Sequence, residues 1–408
     1  QSKAYKRIDP GYPHRSFLFR KVNNGLDPDI VLDPAEGGSV GVLTDYKKEL
    51  VRQWILFGAP ENVVVIDTLL LQDYYNGLGL VPLSKPPAPN PAEGFQIHYG
   101  PMFLAQGQET EYFKKHALNL LPDSVEITRI ETFINEQSHH FLLYKYWDLT
   151  AANNEPEGIR EVTGLTDAFP TGTNMIAAFQ TSTELNLPQG TAYFWEGNPI
   201  LNLDLHVRNY SNDSILKADV YCNIYWQAKQ PQTTEMIAEI IFYEHDIGGP
   251  IPCCFPTPCV VNCDFNCFPL PTNFCIPNNG VNITFTGPII PPAGQNWYVW
   301  LLAGHTHKFG KDYDIYLRNP GGGKGEQIYE GWMDFTYTFP QGFFEYEHPP
   351  VRYFDPDSLI ITPNDGLIHE AMYNNDSVVD VAFGITTNDE MFLTFIQYTL
   401  KPWEIGRA

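Results

Sequence analysis

The sequence predicts a mainly β protein: two antiparallel β-sandwich (jelly-roll) domains preceded by a small helical N-terminal segment. Three observations carry this. The 408 residues include 34 Pro and 32 Gly, a density of turn formers that favours many short strands over long helices. From Gly94 onward, apolar and polar residues alternate in short runs, the period of a half-buried strand. The length suits two or three domains, and a composition of 43% apolar and 14% aromatic residues supplies their cores.

Residues 1–81 differ in character from the rest. Thr44-Asp-Tyr-Lys-Lys-Glu-Leu-Val-Arg-Gln-Trp-Ile-Leu-Phe-Gly58 reads as one amphipathic helix. Thr44 or Asp45 caps it, Leu50, Val51, Trp54, Ile55 and Phe57 form its apolar side, and Gly58 with Pro60 ends it. A second helix is expected within Asp67–Tyr75. The stretch Pro82–Pro91 has five prolines in ten residues and is read as an extended, semi-rigid linker (82–92) at a domain boundary. Strands are then expected at Phe95–Tyr99, Glu109–Phe113, Val125–Ile134, Phe141–Trp147, Leu201–Leu205, Lys217–Trp226 and Met236–Tyr243, with a turn over Pro101–Gly107. The first sandwich is assigned to 93–232 and the second to 233–408, the boundary falling near Gln230–Thr234.

Residues 250–278 hold six of the seven cysteines: Cys253, Cys254, Cys259, Cys263, Cys267 and Cys275. The segment reads as an insertion carrying local disulfides, which implies an oxidising compartment, so a secreted, periplasmic or cell-surface protein is expected. A zinc or thiolate cluster is the alternative, although the spacing lacks paired Cys-x-x-Cys knuckles. Cys222 is left as a buried thiol or a partner of one loop cysteine. The net charge of −23 argues against nucleic acid and against anionic membrane surfaces. No apolar run reaches membrane-spanning length. Gln1 is not an initiator, and an upstream segment is expected.

The chemistry-bearing residues are histidines in two doublets. His305 and His307 stand at i and i+2 after the apolar run Trp297–Leu302, and in a strand such residues share a face, so two imidazoles can hold one ion. His139 and His140 are adjacent and point to opposite faces unless the strand twists or ends there. His206 follows the alternating run Leu201-Asn-Leu-Asp-Leu205, and Met391 opens the late apolar strand Phe392–Tyr398. Imidazole and thioether donors together suit copper. His98, His116, His245, His348 and His369 are read as structural or surface residues.

Four motifs in this order, Ser138-His-His-Phe-Leu-Leu-Tyr144, Leu203-Asp-Leu-His206, His305-Thr-His-Lys-Phe-Gly310 and Phe383-Gly-Ile-Thr-Thr-Asn-Asp-Glu-Met391, resemble those of the copper type II, ascorbate-dependent monooxygenases, the family of the peptidylglycine and dopamine β-hydroxylases. The resemblance covers roughly residues 93–400. It implies two copper ions per chain. An electron-transferring copper would be held by His139, His140 and His206 in the first sandwich. A catalytic copper would be held by His305, His307 and Met391 in the second, across a gap between the domains. It further implies hydroxylation of a substrate C–H bond with dioxygen and a one-electron donor such as ascorbate.

Amidating members of that family place an Arg two residues before the His-x-His and a Tyr four after the Met. Ala303 and Phe395 stand there in this chain, so the implied substrate is a small aromatic or aliphatic molecule and not a peptide C-terminal glycine. Asp204 stands where those members carry Gln. In residues 1–80, Arg15–Val22 and Val51–Pro60 resemble the tail of a bacterial c-type cytochrome domain, which would make a cytochrome the electron-donor partner. The chain lacks Cys-x-x-Cys-His, so the haem half is expected upstream, making this the oxygenase half of a cytochrome fusion, or the region is a haemless remnant; a helical lid packed on the enzyme is the further alternative. A copper-binding surface or structural protein without turnover is the competing functional reading.

Overall fold

The computed structural model describes residues 5–23, 43–119, 121, 124–162, 171–242, 274–331 and 348–403. Two β-rich halves follow three short helices, α1 (Phe17–Val22), α2 (Asp45–Leu56) and α3 (Thr68–Asp73). The first half contains β1 (Gly94–Leu104), β2 (Glu109–Ala117), β3 (Ser124–Ile134), β4 (Ser138–Tyr146), α4 (Leu149–Asn154), β5 (Ile159–Glu161), β6 (Thr173–Phe179), β7 (Thr183–Asn186), β8 (Thr191–Glu196), β9 (Ile200–Arg208), β10 (Leu216–Ala228) and β11 (Thr234–Glu235). One sheet runs β1-β10-β3-β8-β11 with β7 also on β3, and the other runs β5-β2-β9-β4-β6. The second half contains β12 (Ile237–Phe242), β13 (Cys275–Ile276), β14 (Asn282–Ile289), β15 (Trp297–His305), β16 (Gly310–Arg318), β17 (Lys324–Glu330), β18 (Val351–Tyr353), β19 (Ile360–Ile361), β20 (Leu367–Asn374), β21 (Val381–Ala382) and β22 (Leu393–Thr399). Its sheets run β12-β22-β15-β18, with β19 also on β15, and β14-β20-β16-β17, beside a β13-β21 pair. The expected mainly β architecture of antiparallel sandwiches is what the chain adopts. No helix among the described residues is long and apolar enough to cross a membrane.

The two halves share apolar surface. Trp300, Leu301, Ala303 and Phe395 of the second half join the core of the first, while Val299, Leu302 and Ile396 face the second core. On β15 the pairing with β22 slips between Val299 and Leu301, which puts the adjacent Trp300 and Leu301 on the same side, and alternation resumes from Leu301 to Ala303. The chain passes between halves at Met236, where β11 pairs with β8 and β12 with β22.

Three local expectations are refined. Thr44 caps α2 by accepting from the Lys47 amide at 3.4 Å, and Asp67 caps α3 through the Leu69 amide at 2.8 Å. Pro101 lies inside β1 and not in a turn: the Gly100–Pro101 peptide is cis, the pairing with β10 skips a step between Tyr99 and Met102, and the strand resumes to Leu104. The proline stretch lies along the first sheet, where Pro86 and Pro87 carbonyls accept from Gln96 and Asn223. The helical segment is docked on the first half. Arg52 donates to the Gly100 carbonyl, Gln53 to the Pro101 carbonyl at 2.8 Å, and the Tyr12 hydroxyl accepts from the Ala117 amide at 3.0 Å.

Cys222 is a buried free thiol in β10. His245 and the cysteines from Cys253 to Cys267 lie outside the described residues. His98 pairs with Asp219 at 2.6 Å, His348 contacts the Ser138 carbonyl at 3.3 Å, and His369 bonds the Thr394 hydroxyl at 2.9 Å.

Burial holds His116 and His369 down to about 3. The unfolded chain, with ordinary imidazoles near 6.5, takes up protons first as the pH drops, so their neutral burial costs stability below that value. The melting temperature of the metal-free protein is expected to fall by several degrees between pH 7 and pH 5. His369→Gln should flatten that dependence, and an unchanged slope contradicts the assignment.

Candidate metal centre

The centre begins with β9. In Leu201-Asn-Leu-Asp-Leu-His206 the leucines point into the first sandwich, so Asn202, Asp204 and His206 share the opposite face. That face is also buried, because the second half covers it. Across β4, His140 stands opposite His206, and across β2, Glu111 stands opposite His206, so the three lie in one row over adjacent strands. The register slips between Ser138 and His140, making His139 the extra residue of a β-bulge. A bulge re-aims one side chain, and here it resolves the difficulty of adjacent histidines: both rings lie on the same side, 5.2 Å apart between centroids.

The second half delivers its histidines to the same place. His305 ends β15 opposite Leu393 of β22, and Gly304 before it lies against the Tyr313 ring, where a Cβ would come within 2.3 Å of that ring. His307 lies in the following loop, which is wound around the Glu390 carboxylate. Glu390 accepts from the amides of His307 at 2.7 Å, Phe309 at 2.6 Å, Gly310 at 3.1 Å and Met391 at 3.1 Å. Burial pushes this carboxyl up to about 8 against the pull of those four donors.

The two expected trios are therefore not separated by a gap. The His139 ring lies 4.9 Å from His206, 5.1 Å from His305 and 5.4 Å from His307 between centroids, and His140 lies 5.3 Å from His206 and 6.1 Å from His305. Nitrogens of His139, His140 and His305 fall within 4.8 Å of one another. The physical reason is the shared apolar interface, which brings the end of β15 onto the β9–β4 face. Met391 is buried and lines a cavity of about 20 Å³ with His140, His305, Glu111, Asp204 and Phe395.

The donor set fits a metal. Among the described residues, both ring nitrogens of His139 and His140, Nδ1 of His305 and Nε2 of His307 are buried without a hydrogen-bond partner. Burial, reinforced by neighbouring imidazoles, drives His139 and His305 well below the ordinary histidine value, and burial holds His307 down to about 3. These rings are neutral and need lose no proton to bind an ion. Two of them have their orientation set. His307 Nδ1 lies 3.3 Å from the Asp389 carbonyl, which leaves Nε2 for the centre. His206 Nε2 bonds Glu109 at 2.9 Å, which leaves Nδ1.

Glu109, Glu111, Thr387 and Glu390 were not foreseen as site residues. Glu109 also accepts from the Thr387 amide at 2.7 Å and its hydroxyl at 2.8 Å, tying β2 to the loop before Met391. Burial works to raise the Glu109 carboxyl, but the bond and charge of His206 and the Thr387 donors outweigh it and bring it down to about 2. Asp204 is raised well above the ordinary value by burial and by Glu111 beside it. The available signal was the i, i+2 spacing of Glu109 and Glu111, which puts two acids on one face of a buried strand.

No protein-family model matches this chain, and no curated protein matches it. Among solved structures it is similar to the major capsid protein P2 from bacteriophage PM2, at 9% identity over 81% of this chain and 98% of that one, with a TM-score of 0.23. It is also similar to PNGF-II, at 9% identity over 85% and 70%, with a TM-score of 0.25. At these scores neither likeness bears on function.

Replacing the partner that orients a ligating histidine costs roughly tenfold to a hundredfold in metal affinity. Glu109→Gln is expected to weaken copper(I) binding by that factor, measured by chelator competition. Unchanged affinity contradicts the role given to Glu109.

Proposed function

We propose that this protein is a copper-dependent monooxygenase that hydroxylates a C–H bond of a small substrate, using dioxygen and a one-electron donor such as ascorbate. The observation that carries the reading is the convergence of five buried imidazoles from both halves, beside the Met391 thioether. Imidazole with thioether is a soft set that selects copper over hard ions. His139, His140, His206, His305, His307 and Met391 would hold it. When bound, copper supplies dioxygen activation and one-electron chemistry.

The chain's own residues do the rest. Glu390 fixes the backbone of the His307 loop, Glu109 holds the orientation of the His206 ring, and burial limits water at the centre. Beside it, a cleft of about 200 Å³ between the halves is lined by Phe179, Leu301, Ala303, Tyr353, Phe395 and Gln397. Phe395 adjoins the His305 ring at 5.8 Å between centroids. The mostly apolar lining, with Ala303 and Phe395 in place of a carboxylate clamp, favours a small aromatic or aliphatic substrate over a peptide terminus. Gln397 accepts from the Tyr193 hydroxyl at 2.7 Å and supplies one polar handle in that cleft.

One observation favours the second reading, a copper protein without turnover: the cavity at the centre measures about 20 Å³, room for about one water molecule. Oxygen uptake separates the two. The copper-loaded protein is expected to consume dioxygen in the presence of ascorbate. Met391→Ile should abolish that uptake while the histidine-held copper stays bound. Copper-loaded protein that consumes no oxygen supports the second reading, and full turnover by the Met391→Ile protein refutes the role of the thioether.

A further inference from the structure

Beside the imidazoles stands a second donor set of different character. Glu111 on β2, Asp204 on β9 and His140 on β4 share one face of three adjacent strands. Each is nine-tenths or more buried, at 7%, 1% and 6% exposure. Glu111 Oε2, Asp204 Oδ1 and both His140 nitrogens lack a hydrogen-bond partner among the described residues. His140 Nε2 lies 3.6 Å from Glu111 Oε1 and 3.9 Å from Asp204 Oδ2. These separations exceed a hydrogen bond. They are close to the spacing of ligands around one ion: bonds of about 2.0–2.2 Å in a tetrahedron put neighbouring ligand atoms roughly 3.3–3.6 Å apart.

We infer that Glu111, Asp204 and His140 form a binding site for a zinc-like divalent cation, distinct in chemistry from the soft imidazole and thioether set and adjoining it through His140. Two carboxylates in a nearly water-free place repel each other, and a divalent cation removes both charges at once. The small cavity these residues share with Met391 gives such an ion room. The inference goes beyond the copper reading and does not require it.

The test is made on the whole chain, loaded anaerobically with copper(I), an ion that carboxylates hold poorly, and then given zinc(II). The wild-type protein is expected to take up one zinc per chain. Glu111→Gln and Asp204→Asn, near-isosteric changes, should each lower zinc affinity at least tenfold with copper(I) content unchanged. Zinc-edge X-ray absorption on the wild type, which needs no variant, should report oxygen ligands and one imidazole. No zinc uptake, uptake indifferent to both substitutions, or an all-imidazole zinc environment overturns the inference. If zinc binds as described but copper(I) does not load, the inference stands and the copper reading fails.

Discussion

Five imidazoles packed together in a place shielded from water are the constraint on which this structure depends. A buried polar group without a partner costs about 1–3 kcal/mol. Six nitrogens of His139, His140, His305 and His307 are in that position among the described residues. Burial disfavours the charged form of these four rings, which removes the larger cost of burying charge and leaves lone pairs ready for an ion. The surrounding features serve this arrangement. The bulge turns His139 beside His140, the four amide bonds to Glu390 shape the His307 loop, and Glu109 fixes one face of His206.

The same constraint explains why the two halves cannot be treated separately. Glu109 bonds His206 in its own half and Thr387 in the other, and Arg208 bonds the Thr387 hydroxyl at 2.9 Å. The polar face of β9 would be solvated in an isolated sandwich. Here it is buried, because the Leu301, Ala303 and Phe395 side chains of the second half pack over the first. Coupling between the halves therefore runs through direct contacts at the centre, and any motion that parted them would dismantle the histidine cluster.

Much of the fold was legible because strand periodicity is local. β3, β9, β10 and β12 fall within a few residues of the expected runs, and of the two expected cap candidates Thr44 is the one that caps α2. Pro101 misled because the β1–β10 pairing skips a step between Tyr99 and Met102 and leaves the proline amide position unpaired, which no dipeptide pattern reveals. The sequence singled out the six candidate residues but not the geometry that brings them together. Their grouping depends on how two sandwiches dock, and docking is set by long-range apolar contacts that a linear pattern does not encode. Glu109 and Glu111 were missed for the same reason: they look like surface acids until the covering half is in place.

The most direct measurement of the central claim is anomalous diffraction at the copper edge from crystals of the copper-loaded protein. A copper position within bonding distance of imidazoles from both halves, His139 or His140 together with His305, is the expected result. Copper confined to two distant positions, one bound only by His139, His140 and His206 and the other only by His305, His307 and Met391, would contradict it.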